Sequence, residues 1–465
     1  VPYFTVTDFA AGLDLRRSEL TAPAGTMRSL INAHITPGGE IEKRMAFVPF
    51  WTCDPATKGL VSVDQKLYTF GPNGPYKTEP SGGQDSWTIG VLGQQTPSIY
   101  EIIDYDLFDN QVFVILWTDA AGNVVRCYNG SSIVEARGFY CRTYKTKIYS
   151  VSTTVLYFSS VGNPADWVGT GSGSIDMSLG DSDMTDCLAL EVYYDKLAVF
   201  SKTATQLWAI DPDPLKNQYT QTLREAGSIA WRSVMQYGSG DVMYLAPSGI
   251  RSLRARNSSL AAAVSDIGSP LDPVIQDLFR IMGADWMSGT ISILQPVTGR
   301  FWIIFPDRIY VLSAFPGPKI TAWSEYAPGF VITAAAVYNN HVVVRDTDNI
   351  VYAYGGISDE GPVYDDSYVE LVFPFHAGTD AATSKTFTAL DATCTGVPWD
   401  VYIALNPEDP FEEDWVGTFD GPTFAQGKFA IHGHATHMSL RLRSQSPGPQ
   451  LLSNMIVHYQ VAESG

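Results

Sequence analysis

Apolar strand-like runs recur along most of this chain at intervals of about 40–60 residues, each broken by a polar turn carrying Asp, Asn or Gly. That spacing limits the fold more than any other feature, because it fits four-stranded blades arranged around an axis. Seven units can be counted. They begin with Gly59–Phe70 and Ile99–Leu116 and continue with Thr146–Phe158, Leu188–Phe200 and Ser228–Leu245. Ile291–Phe305 and Phe330–Val344 complete the series. A third strand ending near an aromatic often follows, as in Gln206–Ile210 and Ile309–Leu312. Similarity between units is too weak to fix the number of blades, and a stack of β-sandwiches has similar turn spacing.

Composition supports an all-β reading. The 465 residues include 40 Gly and 28 Pro for turns, and 24 Tyr, 22 Phe and 11 Trp, which favour strands. Apolar residues make up 45% and charged residues 17%, which argues against disorder. One helix is expected over 269–282, with Asp272 as N-cap, Pro273 at the first helical position, and Ile275, Leu278, Phe279 and Met282 as its apolar stripe.

Three regions follow. Residues 1–50 are Gly/Pro-punctuated and balanced at five acids and five bases; they are too few to make a core alone and are expected to pack with the C-terminal region. Residues 51–360 are expected to form the β-propeller. Residues 361–465 carry thirteen acids against four bases and alternating runs such as Tyr368–Phe373 and Met438–Arg443, which suggest a smaller β-sandwich-like platform.

Lys and Arg number 30 against 49 Asp and Glu, a formal charge of −19. Tight duplex binding needs cationic neutralisation of phosphates, so a general nucleic-acid binder is disfavoured. The basic clusters Arg16-Arg17, Lys43-Arg44 and Arg251–Arg256 are short. Cys53, Cys127, Cys141, Cys187 and Cys394 are odd in number and widely spaced, which suggests scattered thiols rather than a disulfide framework or zinc knuckle. No basic-then-apolar leader precedes Asp8, and the most apolar runs fall well short of about 18 residues, so no membrane span is expected.

The search for chemistry yields weak motifs. His432, His434 and His437 could bind zinc or nickel, but on a strand the first two share one face and the third takes the other. The acidic runs Glu408–Asp414 and Asp211-Pro-Asp213 could supply a glycosidase pair only at a defined separation, which sequence does not give. Gly169–Gly173 lacks the Lys-Ser/Thr of a phosphate loop, and Tyr237–Asp241 reads as a hairpin turn. No catalytic, metal or cofactor residue is therefore assigned, no cofactor is expected, and a structural or binding role is favoured over an enzyme.

Several stretches together resemble the tail nozzle proteins of short-tailed bacteriophages, also called tail hub or packaged-DNA stabilisation proteins. They are Gly12-Leu-Asp-Leu-Arg-Arg17, Ala22-Pro-Ala-Gly25, Leu30-Ile-Asn32 and Gly38–Arg44, then Gln206–Pro212, Gly227–Ala230, Gly240–Leu245, Gly249–Leu253 and Asp266–Gly268 with the helix after it. The resemblance implies a propeller joined to a β platform. It also implies a homohexameric ring below the portal and its adaptor, in the tail of the virion and assembled in the host cytoplasm. Such a ring helps retain packaged DNA, conducts the duplex without sequence-specific binding, and meets tail fibre, needle or plug proteins. A monomeric carbohydrate- or protein-binding propeller, and a glycan-active propeller enzyme with two facing carboxylates in a central pocket, are the alternatives.

Overall fold

The computed structural model describes residues 2–461 except 24, 54–56, 64–65, 72–73, 81–86, 92–100, 110, 118–124, 129–132, 258–265, 358–360, 379, 397 and 422. Seven small antiparallel sheets stand in a closed ring, a β-propeller. Blade 1 contains Lys58–Val63, Lys66–Gly71, Gly74–Pro80 and Trp87–Val91; blade 2 contains Glu101–Phe108, Gln111–Trp117, Val125–Tyr128 and Ile133–Glu135. Blade 3 contains Tyr140–Tyr144, Lys147–Ser152, Val155–Phe158 and Gly173–Asp176; blade 4 contains Ala189–Tyr193, Lys196–Phe200, Ala204–Ala209 and Gln218–Arg224. Blade 5 shows three strands among the described residues, Met235–Tyr237, Asp241–Ala246 and Gly249–Ser252. Blade 6 contains Ile291–Leu294, Phe301–Ile304, Ile309–Phe315 and Ile320–Tyr326. The first strand of each blade is innermost and touches its counterpart on either side, and the seventh meets the first.

Blade 7 closes the ring by joining distant parts of the chain. Ile332–Tyr338, His341–Asp346 and Ile350–Tyr354 supply three strands, and Phe47–Thr52 supplies the outermost, antiparallel to Ile350–Tyr354. The expected boundary at residue 50 therefore falls inside a propeller strand. Strand pairing extends the propeller to residue 47 because the last blade gains a fourth ladder that way. The third repeating unit is also displaced: Thr146–Phe158 holds the middle strands of blade 3, and Tyr140–Tyr144 precedes them. The two are joined through Lys145 and Thr146, both at positive φ (44° and 63°), an uncommon conformation for a β-branched residue.

The platform is a two-sheet sandwich. One sheet orders Ala33–Ile35, Ile41–Lys43, Leu451–Val461, Lys385–Thr395 and Phe429–Ala435, with Tyr3–Val6 also paired to Leu451–Val461. The other orders Ser29–Ile31, Tyr368–Val372, Ser439–Gln445, Trp399–Ala404 and Glu413–Phe419. Leu30, Leu371, Trp399 and Leu442 of the second sheet meet Ile41, Leu390, Met455 and Val457 of the first in a buried core. Alternation along these strands places the apolar set inward, as period 2 requires. Ser29–Ile31 lies parallel to Ile320–Tyr326, with Ile31 opposite Glu325, so the second sheet runs on into blade 6.

The helix spans Asp272–Ser288, longer than expected. Leu271, not Asp272, is its N-cap. The Asp272 carboxylate instead accepts from Arg251 Nη1 at 2.7 Å, because an ion pair with blade 5 competes for it. Ile275 and Leu278 are buried as read from the stripe, but Met282 is exposed, since Gly283 (φ 81°, ψ 171°) breaks the helical path there. The helix resumes contact through Trp286, stacked on Phe305 at 5.8 Å.

Candidate functional site in the propeller channel

The seven innermost strands surround a central cavity of about 510 Å³. Its wall is uneven. Blades 1, 6 and 7 present Val61, Ile291, Ile293, Ala335 and Val337, whereas blades 2 to 5 present Asp104, Asp106, Arg142, Glu191 and Arg232. Asp104 and Asp106 share a face because they are two apart on one strand. A register shift between Ile102 and Asp104 adjusts how that strand meets its neighbour.

The charged groups stitch blade to blade. Asp104 Oδ2 accepts from the Cys141 N–H at 2.8 Å, and Asp106 accepts from the Thr143 N–H, both on the inner strand of blade 3. Arg142 Nε donates to the Leu190 carbonyl at 3.2 Å, and its Nη2 lies 3.0 Å from Glu191, both on blade 4. Arg232, just before blade 5, reaches the Ile102 carbonyl of blade 2 at 3.2 Å, and its guanidinium lies 4.4 Å from the Trp231 ring centre. Side chains thus bond backbone groups that lie at the inner edges of separate sheets, where no ladder partner exists.

Burial lifts the Asp104 carboxyl to about 7, against the pull of Arg142 and two backbone N–H donors. Burial also raises the Glu191 pKa, with Arg142 opposing. For Arg142 burial works against the charge, yet Glu191, Asp106 and Asp104 together push its pKa up.

The motifs singled out in the sequence lie elsewhere. His432 and His434 are exposed on the edge strand Phe429–Ala435, where His434 bonds the Ser384 and Thr386 hydroxyls at 2.9 and 3.2 Å. His437 lies beyond the strand and bonds the Thr436 hydroxyl at 2.9 Å; burial, then Lys385, lowers its pKa. Among the described residues no three His, Cys, Asp or Glu side chains are grouped to hold a metal ion. Asp211 and Asp213 cap turns, with Asp213 accepting from the Leu215 N–H. Glu408–Asp414 leads into an edge strand of the platform. Cys53, Cys141, Cys187 and Cys394 are buried, and none of them joins another in a disulfide.

The channel residues were not singled out from sequence, although Asp104, Asp106 and Glu191 sit inside runs read as strands. The available signal was an acid breaking the apolar first strand of a unit. Recognising it as a site required knowing that those first strands all face one axis.

No family model and no curated protein matches the chain. Solved structures with a similar path include the Neurospora crassa Pan2 WD40 domain, at 9% identity and a TM-score of 0.43, covering 70% of this chain and 99% of that one. The computationally designed Ika8 protein is similar at 11% identity and a TM-score of 0.39, covering 67% of this chain and 99% of that one. The strand order and ring closure described above define this chain as an all-β, propeller-type protein.

Proposed function

We propose that this chain is a structural subunit of a virion tail: a nozzle of the short-tailed bacteriophage type, acting as a homohexameric ring below the portal and adaptor. The observation that carries the reading is where its resembling motifs fall. Gln206–Pro212 and Gly240–Leu245 lie within blades 4 and 5, whereas Gly12–Arg17, Leu30–Asn32 and Gly38–Arg44 make the joint between propeller and platform. Gly12 (φ 58°) lies against the Trp323 carbonyl, so closely that a Cβ there would stand 2.7 Å from that oxygen. Leu13 N–H bonds the same carbonyl at 2.8 Å, and Leu15 N–H bonds Pro270 O at 2.9 Å. Asn32 joins Arg44 Nε, the Ala327 N–H and the Tyr368 carbonyl. Arg44 also pairs with Asp365 at 3.0 Å, while Lys43 Nζ donates to Asp365 O at 2.8 Å. A motif set used to hold two bodies at a fixed angle fits an architectural part better than a catalyst.

The charge of −19 suits a wall past which duplex slides, since like charge repels phosphates and leaves retention to a constriction or plug. The propeller axis is not the conduit in this reading, because charged side chains fill the central cavity and Arg232, just before blade 5, reaches the Ile102 carbonyl of the non-adjacent blade 2. The duplex path runs along the axis of the ring, between copies. The test is the mass of the purified protein by light scattering, with a ring-sized particle expected. A stable monomer at high concentration, or sub-micromolar binding of random duplex at physiological salt, would sink the reading.

A glycan-active enzyme has one observation in its favour: carboxylates do converge in the central cavity. Each is already engaged by a backbone N–H or by Arg142, which suits stitching better than proton transfer. Release of a glycan product that is lost in Glu191→Gln would reverse that judgement.

A further inference from the structure

The platform sheet ends on the strand Glu413–Phe419, which pairs on one side with Trp399–Ala404 and has no strand on its other side among the described residues. A register shift leaves Val416 unpaired, and Phe429 of the other sheet packs on Phe419 with ring centres 5.8 Å apart, so the open part of the edge is its start, around Glu413–Trp415. An open edge with exposed aromatics is a template for another strand. Here Phe411 is 92% exposed and Trp415 61%.

Side chains across the sheet form a register ladder that stops short. Arg441 stands opposite Tyr402, and Tyr402 stands opposite Trp415. The Arg441 guanidinium lies 5.3 Å from the Tyr402 ring centre. Among the described residues no strand pairs beyond Trp415 to supply the next rung. A cationic side chain there would repeat the guanidinium-on-aromatic contact already made one strand inward.

Charge selects the same guest. Residues 406–420 hold six acids and no Lys or Arg. Glu413 is satisfied by Arg441 at 2.7 Å, while Glu412 and Asp414 have no ion-pair partner among the described residues. Two copies meeting edge to edge by a twofold would set this acidic run against itself, which like-charge repulsion disfavours. The acids therefore discourage self-pairing and admit a basic strand.

We propose that the outer edge of Glu413–Phe419 docks an extended, lysine- or arginine-bearing segment of a different protein, which adds as a further strand to the platform sheet. The proposal holds whether or not the ring reading does.

The probe is a synthetic peptide, acetyl-Val-Arg-Val-Lys-Val-Arg-amide, and its Glu-substituted counterpart, titrated by calorimetry. The basic peptide is expected to bind, weakening as salt rises, and the acidic peptide not to bind. Trp415→Ser, and separately Glu412→Lys with Asp414→Lys, should each weaken binding at least tenfold. The control pair Asp277→Lys with Asp285→Lys, on the helix, makes the same charge change and should leave binding within twofold. Equal binding of both peptides, or equal loss in the control pair, overturns the proposal. Self-association that Trp415→Ser abolishes, without peptide binding, assigns the edge to a second copy and also overturns it.

Discussion

Arg44 is 2% exposed and serves Asn32, Asp365 and the Met45 and Ala327 carbonyls at once. Arg44→Leu keeps much of the volume but strands those acceptors, so it should destabilise by about 3 kcal/mol, read as a lowered urea midpoint. Asp104 makes a different prediction. Its folded pKa of about 7 lies above the value of about 3.9 expected unfolded. The native state therefore binds more protons between those values, and this group's contribution is full below about 4 and lost as pH rises through about 7. Compared with Asp104→Asn, the native protein should lose on the order of a few degrees more in Tm between pH 5 and 8. A parallel pair of pH profiles would contradict the assignment. Neither residue's role was readable from the sequence. Lys43-Arg44 looked like a small basic cluster because nothing local reveals that Asp365 and Asn32 converge on it. Asp104 looked like an ordinary strand acid because its partners lie on the next blade.

At the scale of elements, the sequence was informative wherever pairing is local. Hairpins such as Tyr338↔His341 across Asn339-Asn340 were legible, because alternation and turn residues lie within one short window. The closing strand Phe47–Thr52 was not, since it pairs with Ile350–Tyr354, about 300 residues away. The helix start was misplaced for a related reason: Asp272 has capping chemistry, but Arg251 draws it away from the helix. That tie can be tested from its other side. Gly249 has φ 144°, and a Cβ there would come within 2.1 Å of Asp272 Oδ1 and 2.9 Å of the Arg251 guanidinium. Gly249→Ala should therefore cost about 2 kcal/mol from backbone strain and the displaced ion pair. Gly299, at φ 67° with open space around it, is the comparison: its alanine variant carries backbone strain alone and should cost less.

For the whole molecule, shape and charge pull against each other. Blade 6 and the platform sheet join edge to edge at Ile31 opposite Glu325, with the Asn32 N–H bonded to the Glu325 carbonyl at 2.7 Å, so propeller and platform should move together rather than about a loop hinge. Such a rigid wedge suits a closed ring, where each copy must present two surfaces at a fixed angle. Yet each copy carries −19, and bringing six together raises their mutual repulsion. The screening length falls from roughly 30 Å at 0.01 M salt to about 8 Å at 0.15 M. Ring formation, if it occurs as proposed, should therefore strengthen as salt rises over that range, opposite to the behaviour of a cationic DNA-binding protein. Sedimentation at fixed protein concentration should show the heavy species gaining at the expense of monomer, while labelled random duplex stays unbound throughout. Assembly that dissolves with rising salt would mean that opposite charges hold the copies together, and the acidic surface would then need another explanation than a low-friction wall. Duplex binding that is tight at low salt and lost with a steep slope would place cationic residues on the DNA path and remove the sliding mechanism altogether.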